Sequence, residues 1–319
     1  MWRILKKTAV LFLFGILLMI HQVGSALGAE TTVGVAQGTD YTGVTALAIS
    51  NAGGLTGIVK KGDTVLLKPN LCTPDFIDSP LTTDYRVTAE IVRQVKTLGA
   101  GRVIIAEGPF DENPFTPEML KASAYGTIEG VEFLHLNDLG AEDCYHVTGK
   151  NTVTKKPIYI PKIYVDADVV ITVAKLKTHE GTVVSLGLKN AIGVPPMPLY
   201  NRPRAKLALH MEYKLTEAIV EINLIRTPDF TVIDGIVGGE RENSRKANPV
   251  RANTIIAGRD IVAVDAVSSA LMGFDPKVVP HIMLAARTGM GTMDLDKIAV
   301  VGGKIEDMAI DFTSPFPKK

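Results

Sequence analysis

Lys175, Lys177 and His179 follow the apolar run Val169-Val170-Ile171-Thr172-Val173 at alternate positions. In an extended chain, residues two apart share a side at intervals of about 6.6 Å, so the three side chains form a cationic comb. Two ammonium groups and an imidazole on one edge suit a phosphate or carboxylate, and the imidazole titrates closest to neutrality, which fits it for acid–base work. The bland alternative is a pair of lysines solvated at a strand end, with a histidine satisfied by backbone. The sequel favours the anion site. Lys189 and Asn190 stand in the otherwise small and apolar stretch from Gly181 to Gly193, where a lysine must reach solvent along its stem or meet a charge.

Carboxylates of matching kind occur elsewhere. Asp265 lies within Ile261-Val262-Ala263-Val264-Asp265-Ala266-Val267, and a carboxylate among apolar neighbours either pairs with one of the motif lysines or lies on the one solvated stripe of a helix. Asp234 precedes Gly235 at the end of Phe230–Ile233, and Lys68-Pro69-Asn70 ends the run Val65–Leu67. Turn chemistry accounts for the last two equally well. The roles then sort as follows. His179, Lys189 and Asp265 are the expected catalytic groups; Lys68, Asn70, Lys175, Lys177, Thr178, Asn190 and Asp234 are the expected ligand-binding groups, with the two aspartates orienting lysines or a metal. The metal content is left open, because the histidines outside the first thirty residues show no zinc-site spacing, while His179, His210 and an aspartate are compatible with a site assembled across the fold.

Such residues need a frame. From Thr31 onward short apolar runs alternate with amphipathic stretches and Gly-rich turns, which predicts an α/β fold. Strands are expected at Thr32–Ala36, Thr64–Lys68, Arg102–Ala106, Val131–Leu136, Val169–Ala174, Phe230–Asp234, Thr254–Ala257 and Ile298–Val301. Several are continuous apolar runs, as in a mostly parallel sheet with helices on both faces. Helices are expected from Asp84 to Leu98, after the Thr116-Pro117 cap, from Arg204 to Arg226, from Asp260 to Met272, and between Pro276 and Thr288. A subdomain boundary is placed near Asn151–Pro161, where Lys, Thr and Pro interrupt the pattern. In open parallel sheets ligands bind beyond the carboxyl ends of the strands. Lys68, Glu107, Lys175 and Asp234 each stand at such an end, so one rim collects them.

Composition narrows the partners. The 319 residues are 46% hydrophobic, enough for a sizeable core, and Lys+Arg and Asp+Glu are 34 each, so no basic surplus exists to neutralise a nucleic-acid backbone. The two cysteines, Cys72 and Cys144, are too few for a cysteine-rich zinc site or a four-thiolate cluster. Arg3, Lys6 and Lys7 precede an apolar stretch from Thr8 to Ile20 and the small residues Gly24 to Ala29, the layout of a secretory signal peptide over residues 1–29. The expectation is a periplasmic or secreted protein spanning 30–319, touching a membrane only if that signal stays uncleaved. In an oxidising compartment the two cysteines are either separate thiols or a disulfide, and Cys72 as a nucleophile lacks an activating neighbour.

Taken together, VLLKPNL (65–71), Thr82-Thr83-Asp84, ADVVITVAKLKTH (167–179), LGLKNAIG (186–193), FTVIDGIVG (230–238) and AGRDIVAVDAVSSALMGFDP (257–276) resemble the DUF362 family of uncharacterised proteins. Many of its members carry ferredoxin-type iron–sulfur segments; this sequence lacks their cysteines, so no iron–sulfur cluster is expected. The segment from His179 to Lys189 is also distantly similar to nickel-pincer lactate racemases. In that family a lysine ten residues after a histidine bears a nicotinate-derived cofactor. Ser185 and Gly187 match, whereas Leu186 and Leu188 replace an expected glycine and arginine. The reading is an exported protein that binds a small anionic molecule at the sheet's carboxyl-end rim and acts on it by an unassigned reaction. The alternatives are capture without turnover, and a racemase- or epimerase-like enzyme with a lysine-linked cofactor.

Overall fold

The longest apolar run becomes the middle of the sheet. In the computed structural model, which describes residues 31–71, 77–109, 114–147, 157–200, 214–241 and 246–313, strand β7 (Val169–His179) is buried along its whole length. It lies between β2 (Thr64–Pro69) and β9 (Phe230–Arg241), parallel to both. β3 (Arg102–Glu107) and β4 (Glu132–His135) continue the parallel run beyond β2. On the other side β11 (Thr254–Gly258) pairs antiparallel with β9, and β1 (Thr31–Gln37) antiparallel with β11. With β12 (Ile298–Val301) the order is β12-β1-β11-β9-β7-β2-β3-β4; β8 (Val183–Ser185) joins the end of β7 and β10 (Ala247–Val250) the end of β9. A separate hairpin pairs β5 (Cys144–Val147) with β6 (Ile158–Pro161).

Helices cover both faces, as continuous apolar strands require. α1 (Tyr41–Asn51) and α2 (Tyr85–Thr97) bury Val44, Ile49, Val87, Ile91 and Val95 against Leu67, Ile171, Val173 and Val232. α3 (Pro117–Ala122) and α4 (Lys162–Asp166) are short. The opposite face packs Leu66, Val170, Ala174 and Ile233 beneath α5 (Gly187–Asn190), α6 (Leu215–Ile225), α7 (Ile261–Leu271) and α8 (Pro280–Arg287). Asp84, Thr116 and Asp260 accept main-chain N–H bonds at the starts of α2, α3 and α7, as their positions in the sequence suggest. A last short helix, α9, spans Ile305–Met308.

Two strands run further than their apolar runs. β7 was expected to stop at Ala174 and β9 at Asp234, but both continue, to His179 and Arg241, with an irregular register between Lys175 and Lys177. Their polar residues stay in the ladder because β8 and β10 pair with the extensions. The expected helix from Arg204 to Arg226 is seen as α6; residues 201–213 lie outside the described residues. Between Pro276 and Thr288 a tight turn at Pro276–Val278 precedes α8. The described residues from Thr32 onward form one compact unit, and most of the expected boundary at 151–161 lies outside the described residues, as does segment 1–29. Among the described residues no helix is long and apolar enough to cross a membrane.

Candidate functional site

Parallel pairing places the carboxyl ends of β2, β3, β7 and β9 on one side, with Lys68 opposite Thr172 and Lys175 opposite Asp234. The strand alternation then separates the lysines. Lys68 shares a face with Leu66, beneath α5 to α8, whereas Lys175 and Lys177 share a face with Val173, beneath α1 and α2. One rim carries two polar clusters on opposite faces.

The first centres on Lys68, whose ammonium donates to Glu107 Oε1 at 2.9 Å and Oε2 at 2.8 Å, to Asn190 Oδ1 at 3.2 Å and to the Pro69 carbonyl at 3.1 Å. Glu107 also accepts the main-chain N–H groups of Leu71 and Gly108. Asn190 in turn donates to the Lys68 carbonyl and to Thr172 Oγ1. Lys68 is 1% exposed and Glu107 2%, so the charges are out of water and depend on each other. Gly193 lies directly on the pair: a Cβ there would overlap Glu107 Oε1 and come within 2.8 Å of Lys68 Nζ.

On the other face Lys175 donates to Asp234 Oδ2 at 2.8 Å, and the same oxygen accepts the Asp84 main-chain N–H at 2.9 Å. Burial pushes the Asp234 carboxyl up from its ordinary range, against the pull of the Lys175 ammonium. Lys177 donates to Asn70 Oδ1 at 2.6 Å and to the Leu81 carbonyl at 2.8 Å. Asn70 and Thr83 bind each other through main-chain and hydroxyl groups, and Thr83 Oγ1 donates to the Val173 carbonyl. Arg86 reinforces this strap by bonding Asp84 and Asp78 while its guanidinium lies 3.7 Å from the centre of the Tyr41 ring. The comb spacing is present, but its ammonium groups face inward onto fixed oxygens. Thr178 is buried in the β7–β8 pairing, and His179, 5% exposed, accepts the Gly181 N–H on Nδ1, so its neutral form carries the proton on Nε2.

The third arrangement is the α5 turn. Asp265 accepts the N–H groups of Gly187 at 2.8 Å and Leu188 at 2.9 Å, so its partners are main-chain amides and the expected pairing with a motif lysine is corrected. The mid-helix aspartate reaches α5 because Gly187 has no side chain: a Cβ would meet Thr231 Cγ2 at 2.8 Å and Asp265 Oδ1 at 2.9 Å. Burial pushes the Asp265 carboxyl up to about 7. Asn223 on α6 donates to the Leu188 carbonyl. The turn is thereby held at both ends and in the middle, and from Val184 to Pro196 Lys189 is the one residue that is not buried.

Of the residues singled out from the sequence, Lys68, Asn70, Asn190, Lys175 and Asp234 lie at the rim, and Glu107, Thr83, Thr172 and Asn223 join them without a role read from the sequence. Glu107 had a signal, since it ends the run Val103–Ile105; Asn223 sits within a helical apolar pattern and had none. Cys144 is a buried free thiol whose burial pushes its pKa up to about 11, and Cys72 lies outside the described residues. No group of three or more His, Cys, Asp or Glu suited to a metal ion is present among the described residues.

Comparisons with known proteins bear on this arrangement. A thylakoid-associated protein of Synechocystis sp. is 28% identical over 247 residues, covering 75% of this chain and 72% of that protein. Two solved structures are similar at low identity. The lactate racemase apoprotein of Thermoanaerobacterium thermosaccharolyticum has a TM-score of 0.46 at 15% identity, over 73% of this chain and 56% of that one. A Thermotoga maritima protein has a TM-score of 0.41 at 14% identity, over 67% and 54%. This chain thus spans little more than half the length of either solved structure. Residues 65–270, which hold Lys68, Glu107, the β7 comb, the α5 turn, Asp234 and Asp265, match the domain of unknown function DUF362, and the chain belongs to that family.

Proposed function

We propose that this DUF362 protein is exported and binds a small anionic molecule, a phosphate or carboxylate, through Lys189 at the carboxyl-end rim. The observation that carries the reading is the setting of Lys189: a partly exposed lysine on a turn whose other residues are buried and whose backbone is fixed by Asp265, Asn223 and Asn190. A fixed backbone removes the cost of ordering the segment, so that only the lysine stem's own rotamers are lost when a ligand binds. Lys68 and Lys175 act as scaffold, because Glu107 and Asp234 already take their charge; Lys177, Asn70 and Thr178 hold the rim together. His179 is the acid–base group closest along the chain. A group attached covalently to Lys189 is the second reading, favoured by the same exposure.

Export is supported by the pattern of residues 1–29. One relative carries the name thylakoid-associated protein. Native and intact-mass spectrometry of the protein purified from its own host, with elemental analysis, tests these statements together. A noncovalent anionic adduct lost in Lys189→Met supports the anion site, and a covalent adduct on Lys189 supports the second reading. Retention of the same adduct by Lys189→Met rules out both. Export requires a mature N-terminus between residues 27 and 30 by terminal sequencing, and an intact Met1 in the cytoplasmic fraction would contradict it.

A further inference from the structure

Asp265 is fully buried in the middle of α7, and its hydrogen-bond partners among the described residues are two neutral groups, the Gly187 and Leu188 amides of α5. An ionised carboxylate in this setting bears the cost of leaving water, less what two amide bonds return. α7 packs against α5, α8, α9, β9, β11 and the turns at Pro276–Val278 and Leu295–Lys297. The titratable and charged groups these carry are Lys189 on α5, His281 and Arg287 on α8, Glu306 and Asp307 on α9, Asp234, Glu240 and Arg241 on β9, and Lys277, Asp296 and Lys297 on the turns, with Asp260 capping α7 itself. Of these, Asp260 is the one whose charge acts on Asp265, and as a like charge it opposes ionisation. Neutral acid and carboxylate therefore favour different surroundings. The acid suits the closed interior; the carboxylate gains by meeting water, and the groups that cover its oxygens belong to α5. Asn190 anchors the far end of that turn to the sheet through the Lys68 carbonyl and Thr172, which leaves Leu186 to Leu188 as the part able to leave α7.

We propose that Asp265 is a proton-operated latch on the turn that presents Lys189: as the neutral acid it keeps α5 closed on α7, and on losing its proton it favours an opened turn in which the carboxylate is hydrated. The inference rests on the reading of α5 as the ligand-presenting turn and adds that the surrounding pH sets how often the turn opens. With the turn closed the carboxyl titrates near 7; opened to water, it returns toward its ordinary value of 3.8. The closed turn accordingly has its full advantage below that ordinary value and loses it as pH rises to about 7, with no further change above. Leu186 and Leu188 are buried, so the opening is a rare excursion of the kind that amide exchange detects.

The test is hydrogen–deuterium exchange of the full chain and of Asp265→Asn from acid to alkaline pH, read by mass spectrometry on peptides covering Leu186–Lys189 and, on β7, Val169–Val173. Dividing the wild-type rate by the variant rate at each pH cancels the intrinsic pH dependence of exchange. For the α5 peptide this ratio should climb about tenfold per pH unit while the closed turn holds its proton and the opened one does not, then level off above about 7. The α5 peptide should also be less protected than the β7 peptide, because the turn opens without the sheet. A ratio that is flat with pH overturns the proposal, since a merely structural aspartate changes exchange by the same factor at every pH. Protection of the α5 peptide equal to that of β7 overturns it too, because the turn would then open only when the whole molecule unfolds. Should Asp265→Asn fail to fold, a synthetic peptide of the α5 sequence supplies the intrinsic rate in its place. Ligand retention by Lys189→Met would sink the anion reading separately; the exchange measurement uses no ligand and stands without it.

Discussion

A buried ammonium is tolerable only with its carboxylate, so at the scale of residues Lys68 and Glu107 are a single unit. Replacing Glu107 by Gln leaves an isosteric side chain but an unneutralised lysine at 1% exposure, and the expected loss is about 3–5 kcal/mol, read as a lower urea midpoint with an unchanged slope. A loss of less than about 1 kcal/mol would mean that Lys68 reaches water after all. Asp265 differs because its partners are neutral amides and its carboxyl is pushed up to about 7 by burial. Folding therefore favours the protonated form, and its contribution is fully present below the unfolded value near 4 and is lost as pH rises through about 7. Asp265→Asn has no such proton to release. The melting-temperature advantage of wild type over Asp265→Asn should accordingly be larger at acid pH than above 7; an advantage that grows with pH would show the carboxylate to be the stabilised form.

At the scale of elements, the motif glycines matter as much as the motif lysines. Gly193 carries the chain over the Lys68–Glu107 pair at a distance that admits no Cβ, so Gly193→Ala must push the 187–193 segment off the sheet or distort the pair. Overpacking of this kind costs about 1–3 kcal/mol, and the displaced segment should also weaken whatever adduct Lys189 retains, measured by native mass spectrometry on the same variant. Wild-type stability and retention in Gly193→Ala would show that the segment has slack. Most of the elements were legible from periodicity, because Val65–Leu67, Val103–Ile105 and Val169–Val173 are apolar on both sides, as strands covered by helices must be. The comb was legible as a spacing, yet its direction was not. Whether Lys175 and Lys177 face solvent or Asp234 and Asn70 depends on residues 59 and 107 positions away in the chain, which local pattern does not contain. For the same reason Asp265 looked like a lysine partner, when the groups nearest to it are the amides of a turn 78 and 77 residues earlier.

At the scale of the whole molecule, the sheet depends on a strand that follows directly upon the proposed signal. β1 lies between β12 and β11, and its register runs from Val33 opposite Gly258 to Gln37 opposite Thr254. Val33 and Val35 are fully buried in the core beneath α6 to α8, and Ala36 contributes to the core on the other face. Burying two valines is worth about 1.5–3 kcal/mol each, and the antiparallel ladder adds to that, against a total stability of about 5–15 kcal/mol for an ordinary domain. A chain beginning at Glu30 keeps all of this. One beginning at Thr39 leaves β11 and β12 without the strand between them. Cleavage after Ala29 is therefore expected to leave the thermal transition sharp and at its full-chain temperature, whereas removal of residues 1–38 should broaden it or abolish it, as followed by circular dichroism. If the shorter chain melted like the longer one, β1 would be dispensable, and the sheet would have to be held by its parallel half, β9-β7-β2-β3-β4, which carries the rim and both of its buried ion pairs.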